Sequence, residues 1–271
     1  MNIAVAVAVG LSLAVALASG GQAGHGTLAD AHRLFYNARF EESAGLALSL
    51  RAPESHDIAN DELRTTALLF QMRRLLDTAD NRDDDDKTAA WKACAKCPAL
   101  LAAFSADVQH GQAAARAILK NSPHDEGALF YLGKLDLNYV WLQLGLLGKR
   151  TGWDEYQEAR QSINAVLKAN PKHVRARVAN AWMDYIVATR TPWGTRWLFG
   201  GGNRKKALAS LREAAAADTD WVSHAEAEFA LWDMLQREKN TAEAMTVAQR
   251  IAKSFPQNSE VASYVAGGVV K

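Results

Sequence analysis

Proline is scarce in this chain, six in 271 residues, and cysteine scarcer still, at two. Few prolines leave little to interrupt helices, and from Thr27 onward Ala, Leu, Arg, Glu and Lys, which favour helix, dominate. Neither sign of charge is in excess: 31 basic against 30 acidic residues give a net charge of +1. No bulk field therefore calls for a nucleic acid or an anionic membrane, and any charged recognition must be local. Beyond residue 23 no segment approaches the roughly 20 uninterrupted apolar residues of a bilayer span, which argues against membrane insertion of the mature chain. H-E-x-x-H, histidine pairs at four-residue spacing and G-x-S-x-G are all missing. The expectation is a protein without catalysis, cofactor or metal.

What is present is 49% apolar and 23% charged, a composition able to build a core in one or two domains. Residues 1–23, MNIAVAVAVGLSLAVALASGGQA, carry no charge, and their apolar part from Ile3 to Ala18 is short for a span. They read as a signal peptide with small residues placed for cleavage after Ala18 or Ala23. The basic residue that normally opens such a peptide is absent, so an uncleaved N-terminal anchor is the alternative. Both readings place the protein outside the cytoplasm, periplasmic or secreted.

Three apolar-periodic runs end in proline: 108–123, 156–171 and 241–256. Aligned on Pro123, Pro171 and Pro256, they place Gly111, Ala115 and Ile118 with Ala159, Ile163 and Val166 and with Ala244, Ala248 and Ile251. The spacing i, i+4, i+7 is one face of a helix. Between residues 128 and 218 a fixed offset appears, 184 minus 136 or 48, which also matches Gly133 with Ala181, Ala159 with Ala207 and Gly152 with Gly200. The stretch 135–144, LDLNYVWLQL, alternates in part like a strand, but it sits inside a helix predicted from Asp125 to Gly148, and no hairpin partner is nearby.

The rhythm of Ala128 to Gly133, then Tyr156, Ala159 and Pro171, resembles the tetratricopeptide repeat, a 34-residue pair of antiparallel helices. Residues 225–258 fit that length through Ala227, Leu231, Leu235, Ala244, Ile251 and Pro256, whereas the middle copies are longer by 48 minus 34, or 14 residues. Residues 28–50 look like a first copy, and a second runs from Asp57 to Pro123 with its first helix near 61–76. The resemblance implies an all-α fold, a right-handed α-solenoid of about five helical hairpins over residues 24–271, two of them with extended helices and long internal loops. Stacked pairs share one core that a single pair cannot close. By the same resemblance the groove positions are Phe130, Lys134 and Asn138, then Arg175, Val178, Trp182 and Tyr185, then Glu226, Phe229, Asp233 and Arg237.

Three features carry two readings each. The stretch 193–208, WGTRWLFGGGNRKKAL, fails the P-loop pattern because no hydroxyl residue follows a lysine. It is a bend into a helix capped by Asn203, or an anion site using Arg196, Arg204 and Lys205. Seven of eight tryptophans lie between 141 and 232, closing the core or forming a recognition patch. Cys94 and Cys97, in C-x-x-C spacing, form a disulfide that is a local staple at a helix start or a redox centre. Asp136, Asp184 and Asp233, if buried, need Arg or Tyr partners. The acidic run 81–87 reads as a solvated loop before a helix.

The leading expectation is an exported scaffold that binds an unidentified protein or peptide. The chain also resembles the tetratricopeptide companion subunits of periplasmic solute transporters, which implies a small organic ligand in a tunnel lined by Trp182, Tyr185 and Phe229. A C-x-x-C redox protein is the third reading.

Overall fold

A computed structural model describes residues 26–51, 57–77, 87–149, 151–191 and 201–267. The expected signal peptide, most of the acidic run, and Trp193, Arg196 and Trp197 lie outside the described residues. Among those described, every regular element is helical. Helices α1 (Leu28–Tyr36) and α2 (Phe40–Ser49) pack as a first hairpin. The second pairs α3 (Ile58–Asp77) with α5 (Cys97–Asn121), with the short α4 (Lys87–Ala93) between them. Three more follow: α6 (Glu126–Trp141) with α7 (Trp153–Ala169), α8 (Val174–Arg190) with α9 (Arg204–Ala215), and α10 (Trp221–Arg237) with α11 (Thr241–Ser254). A last helix, α12 (Ser259–Val265), packs on α11. No described helix is long and apolar enough to cross a membrane.

Local chemistry sets these boundaries. Asp125, Asn203, Asp220, Asn240 and Asn258 each accept a backbone N–H of the helix they precede, which satisfies donors the first turn leaves free. α5, α7 and α11 end two residues before Pro123, Pro171 and Pro256. The intervening Ser122, Asn170 and Phe255 have left the helical region, with ψ of 77°, 85° and 68°, because proline crowds a helical predecessor. The stretch 135–144 is helical, as expected: α6 runs on through a π-helical turn, Leu142–Leu146, toward Gly148, whose φ is 64°.

The aligned faces of the second helices are the buried ones. Ala159, Ile163 and Val166 on α7, like Ala244, Ala248 and Ile251 on α11, are removed from solvent. Small residues there let the pairs approach closely. A Cβ on Gly133 would lie 2.9 Å from Ile163 Cγ1, so α6 and α7 cross in contact at this glycine.

The first helices of the hairpins also meet one another. α1 packs on α3, α3 on α6 and α8 on α10. α6 joins α8 through a shared core of Phe130, Leu137 and Val140 with Ala176, Ala179 and Met183. α10 then returns to α1, where Tyr36 enters the core built by the last five helices. Asn258 Nδ2 donates to the Tyr36 carbonyl at 2.8 Å, and Arg74 pairs with Glu260 at 2.8 Å. The contacts of the inner helices therefore form a closed circuit, with the beginning of the described chain held against its end.

Candidate functional site

Four of these inner helices each send one charged side chain to the middle of the circuit. Lys134 of α6 donates to Glu226 Oε1 of α10 at 2.6 Å and stands 3.5 Å from Glu62 Oε1 of α3. Arg175 of α8 bridges the same two acids, through Nε to Glu226 Oε2 and through Nη2 to Glu62 Oε2 at 3.1 Å. Two cations and two carboxylates thus cancel in a place where all four side chains are at most 16% exposed. Burial alone would raise the Glu226 pKa, but Arg175 and Lys134 hold it well below the ordinary carboxylate range. For Lys134 burial works downward and the two glutamates outweigh it, so its pKa is raised. Arg175 lies 4.9 Å from the ring centre of Phe130 and 5.9 Å from that of Tyr131.

Beside the quartet, His32 of α1 is buried, and its Nδ1 has no hydrogen-bond partner. Burial, reinforced by Arg175, pushes its pKa down to about 4, so the ring is neutral near pH 7. One helical turn beyond Lys134, Asn138 Nδ2 donates to Thr65 Oγ1 at 3.0 Å and Thr66 Oγ1 at 2.9 Å.

At the other end of α6 the inner face is aromatic. Trp141 and Trp182 meet edge to face with centroids 5.8 Å apart, and Trp182 meets Tyr185 in the same way at 5.7 Å. Arg237 of α10 lies 5.5 Å from the Trp182 ring centre and 6.0 Å from that of Trp141, while Asp233 holds its guanidinium at 3.1 Å. Both tryptophans are half-buried and Arg237 is exposed, so aromatic edges and a cation reach the surface together.

The structure thus brings together Lys134, Arg175 and Glu226 in one cluster and Trp182, Tyr185, Asp233 and Arg237 in another. The first three are spent on one another and on Glu62 instead of lining an open groove. Phe130, Val178 and Tyr185 are buried in the core, and Phe229 is covered by Tyr36, 5.2 Å away and stacked. Sequence reasoning missed Glu62, His32 and Tyr36. Only the three later copies had a clear register, so no position could be carried onto α1 or α3.

Of the loop cations, Arg204 reaches Glu238 at 3.3 Å and Lys205 is exposed. Asn203 caps α9 by accepting from Lys206 N at 3.0 Å. Cys94 and Cys97 are joined in a disulfide, and Cys97 is the fully buried first residue of α5, ahead of Pro98. The three acids differ. Asp233 has its arginine, whereas Asp136 has neither Arg nor Tyr: Gln112 Nε2 donates to its Oδ1 at 2.7 Å and Oδ2 has no partner. Burial pushes the Asp136 pKa up to about 8, with Glu158 adding to the effect. Burial also raises that of Asp184, against the pull of Arg160 and Lys206.

No model of a known protein family matches the chain, and no curated protein matches it.

Proposed function

We propose that the chain is an exported, tetratricopeptide-like helical-repeat scaffold, a right-handed solenoid of about five hairpins that binds a protein or peptide partner and carries out no catalysis. The observation that carries this reading is the cluster of half-buried Trp141 and Trp182 with exposed Arg237, contributed by three hairpins in succession. Tryptophan and arginine are the residue types that most often anchor interfaces, and rigid rings lose little entropy on binding. The transporter-companion reading needs Tyr185 and Phe229 to face a tunnel, but the Tyr185 hydroxyl donates to Glu238 at 2.9 Å and Phe229 lies under Tyr36. Of the disulfide pair, Cys97 is buried and Cys94 half-buried, so only Cys94 could serve the redox reading.

Selection of displayed peptides against the full chain, followed by calorimetry, tests the scaffold reading. Selected peptides carry an apolar or aromatic anchor, and Trp182→Ala or Arg237→Ala weakens them at least about tenfold, one anchor's worth of affinity. Peptides that bind both variants as tightly as the parent, or a selection that yields none, would overturn the proposal.

A further inference from the structure

The two middle hairpins treat equivalent acids differently. Asp136 is fully buried under Gln112. At the 48-residue offset, 184 minus 136, Asp184 replaces it, and around it Gln112 becomes Arg160, Arg116 becomes Asn164 and Glu158 becomes Lys206. The start of the second helix changes too. Trp153 and Asp154 open α7, but Gly201 and Gly202 stand in their places and α9 begins only at Arg204. Where one hairpin carries an indole and a carboxylate, the other carries no side chain.

The space left is a pocket of about 220 Å³, lined by Arg160, Asn164, Asn180, Asp184, Lys206 and the 201–203 backbone. Gly202 makes its wall possible: a Cβ there would sit 2.5 Å from Ala188 N and 2.5 Å from the Asp184 carbonyl. Gly201 has φ +85°, the left-handed region that glycine tolerates.

Asp184 is 8% exposed and lines this pocket, yet its carboxylate accepts no hydrogen bond from any described residue. A carboxylate so placed is under-satisfied until a donor reaches it. The side-chain amides of Asn164 and Asn180 are likewise uncommitted among the described residues. The first N–H groups of α9, at Arg204 and Lys205, have no partner within the helix, and its dipole favours an anion there. Arg160 and Lys206 act electrostatically on Asp184 from the pocket's rim.

We propose that this pocket binds a small α-amino acid, its carboxylate on Lys206, Arg160 and the start of α9, its ammonium group on Asp184. Two cations against one carboxylate is the mirror of two carboxylates and one ammonium, so the acidic amino acids are its preferred members. The volume is below that of a drug-sized site and suits a small metabolite. None of these residues belongs to the Trp141, Trp182 and Arg237 cluster, so the assignment does not rest on the scaffold reading.

Calorimetry on the full chain tests it with L-glutamate, L-aspartate and L-alanine against L-lactate and inorganic phosphate. Saturable binding of L-glutamate or L-aspartate is expected, at least about tenfold tighter than lactate or phosphate, since each lost charge-assisted contact is worth that much. Asp184→Asn and Lys206→Met each weaken it at least about tenfold while leaving the thermal midpoint in place. Lys206 is exposed, so its variant keeps the fold whatever happens at Asp184. Absence of saturable heat with every amino acid up to about 10 mM overturns the assignment. So does lactate or phosphate binding as tightly, which makes the pocket a plain anion site, or an unchanged affinity in Asp184→Asn.

Discussion

Tyr36 of α1 stacks on Phe229 of α10 with ring centroids 5.2 Å apart and planes 28° from parallel. This contact joins the first described hairpin to the fifth. It also converts a row of hairpins into a circuit, because Tyr36 is buried in the core of the last five helices and packs on Phe255 as well, at 5.4 Å. Removal of the ring opens that junction. Tyr36→Ala is expected to lower stability by about 3–5 kcal/mol in urea denaturation, the range for emptying a buried aromatic site. Tyr36→Phe loses only the long hydroxyl contact to the Val222 carbonyl, 3.5 Å, and costs less than about 1 kcal/mol. Equal losses for the two would place the effect in the hydroxyl and not in the stacking.

Asp136 makes stability depend on pH from the alkaline side. Its folded pKa is raised to about 8 from the usual 3.8, so its contribution is fully present below pH 3.8 and is lost as pH rises through 8. Asp136→Asn keeps an acceptor for Gln112 and cannot ionise. Across that window the parent's stability falls relative to the variant by up to about 1.4 kcal/mol per pH unit. Thermal midpoints of the two proteins from pH 5 to 9 check this, and parallel curves would count against a neutral Asp136.

His32 acts in the opposite direction. Its folded pKa is lowered to about 4 from 6.5, so its contribution is fully present above pH 6.5 and is lost as pH falls through 4. His32→Leu removes both the titration and the unpartnered Nδ1, and its denaturation midpoint falls less than the parent's between pH 6.5 and 4. A variant with the same acid slope as the parent would contradict the assignment.

Two glycines separate close approach from mere flexibility. Gly202→Ala drives a methyl group into backbone atoms of α8 and is expected to cost at least about 1–3 kcal/mol. Gly45 lies inside α2 with nothing within 4 Å of a Cβ, so Gly45→Ala is expected to stabilise by about 0.5–1 kcal/mol. Urea midpoints that shift in the same direction for both would be inconsistent with this packing.

Helices were legible wherever the signal is local. Pro123, Pro171 and Pro256 mark helix ends because a proline constrains the residue before it, and Ala159, Ile163 and Val166 mark a face because helical geometry repeats within one run. The resemblance to a repeat singled out Lys134, Arg175 and Glu226 as expected groove positions. Their mutual neutralisation was not legible, because it depends on how far the row of hairpins curves. That curvature is the sum of every crossing, including the one at Gly133, and it alone brings Glu62 and Tyr36 to residues more than 100 positions away. The acids illustrate the same limit. Asp136 and Asp184 match at a fixed offset, yet Gln112 against Arg160, and Trp153 against Gly201, give one a sealed interior and the other a pocket.

The pairing of Lys134 with Glu226, across 92 residues of sequence, tests the closed circuit most directly. A double-mutant cycle in denaturant with Lys134→Met, Glu226→Gln and their combination measures it. The account predicts single losses of about 3–5 kcal/mol and a coupling of at least about 1.5 kcal/mol, as for close charge pairs held out of water. Additive effects, with a coupling within about 0.5 kcal/mol of zero, would mean that these inner faces do not meet, and would contradict it.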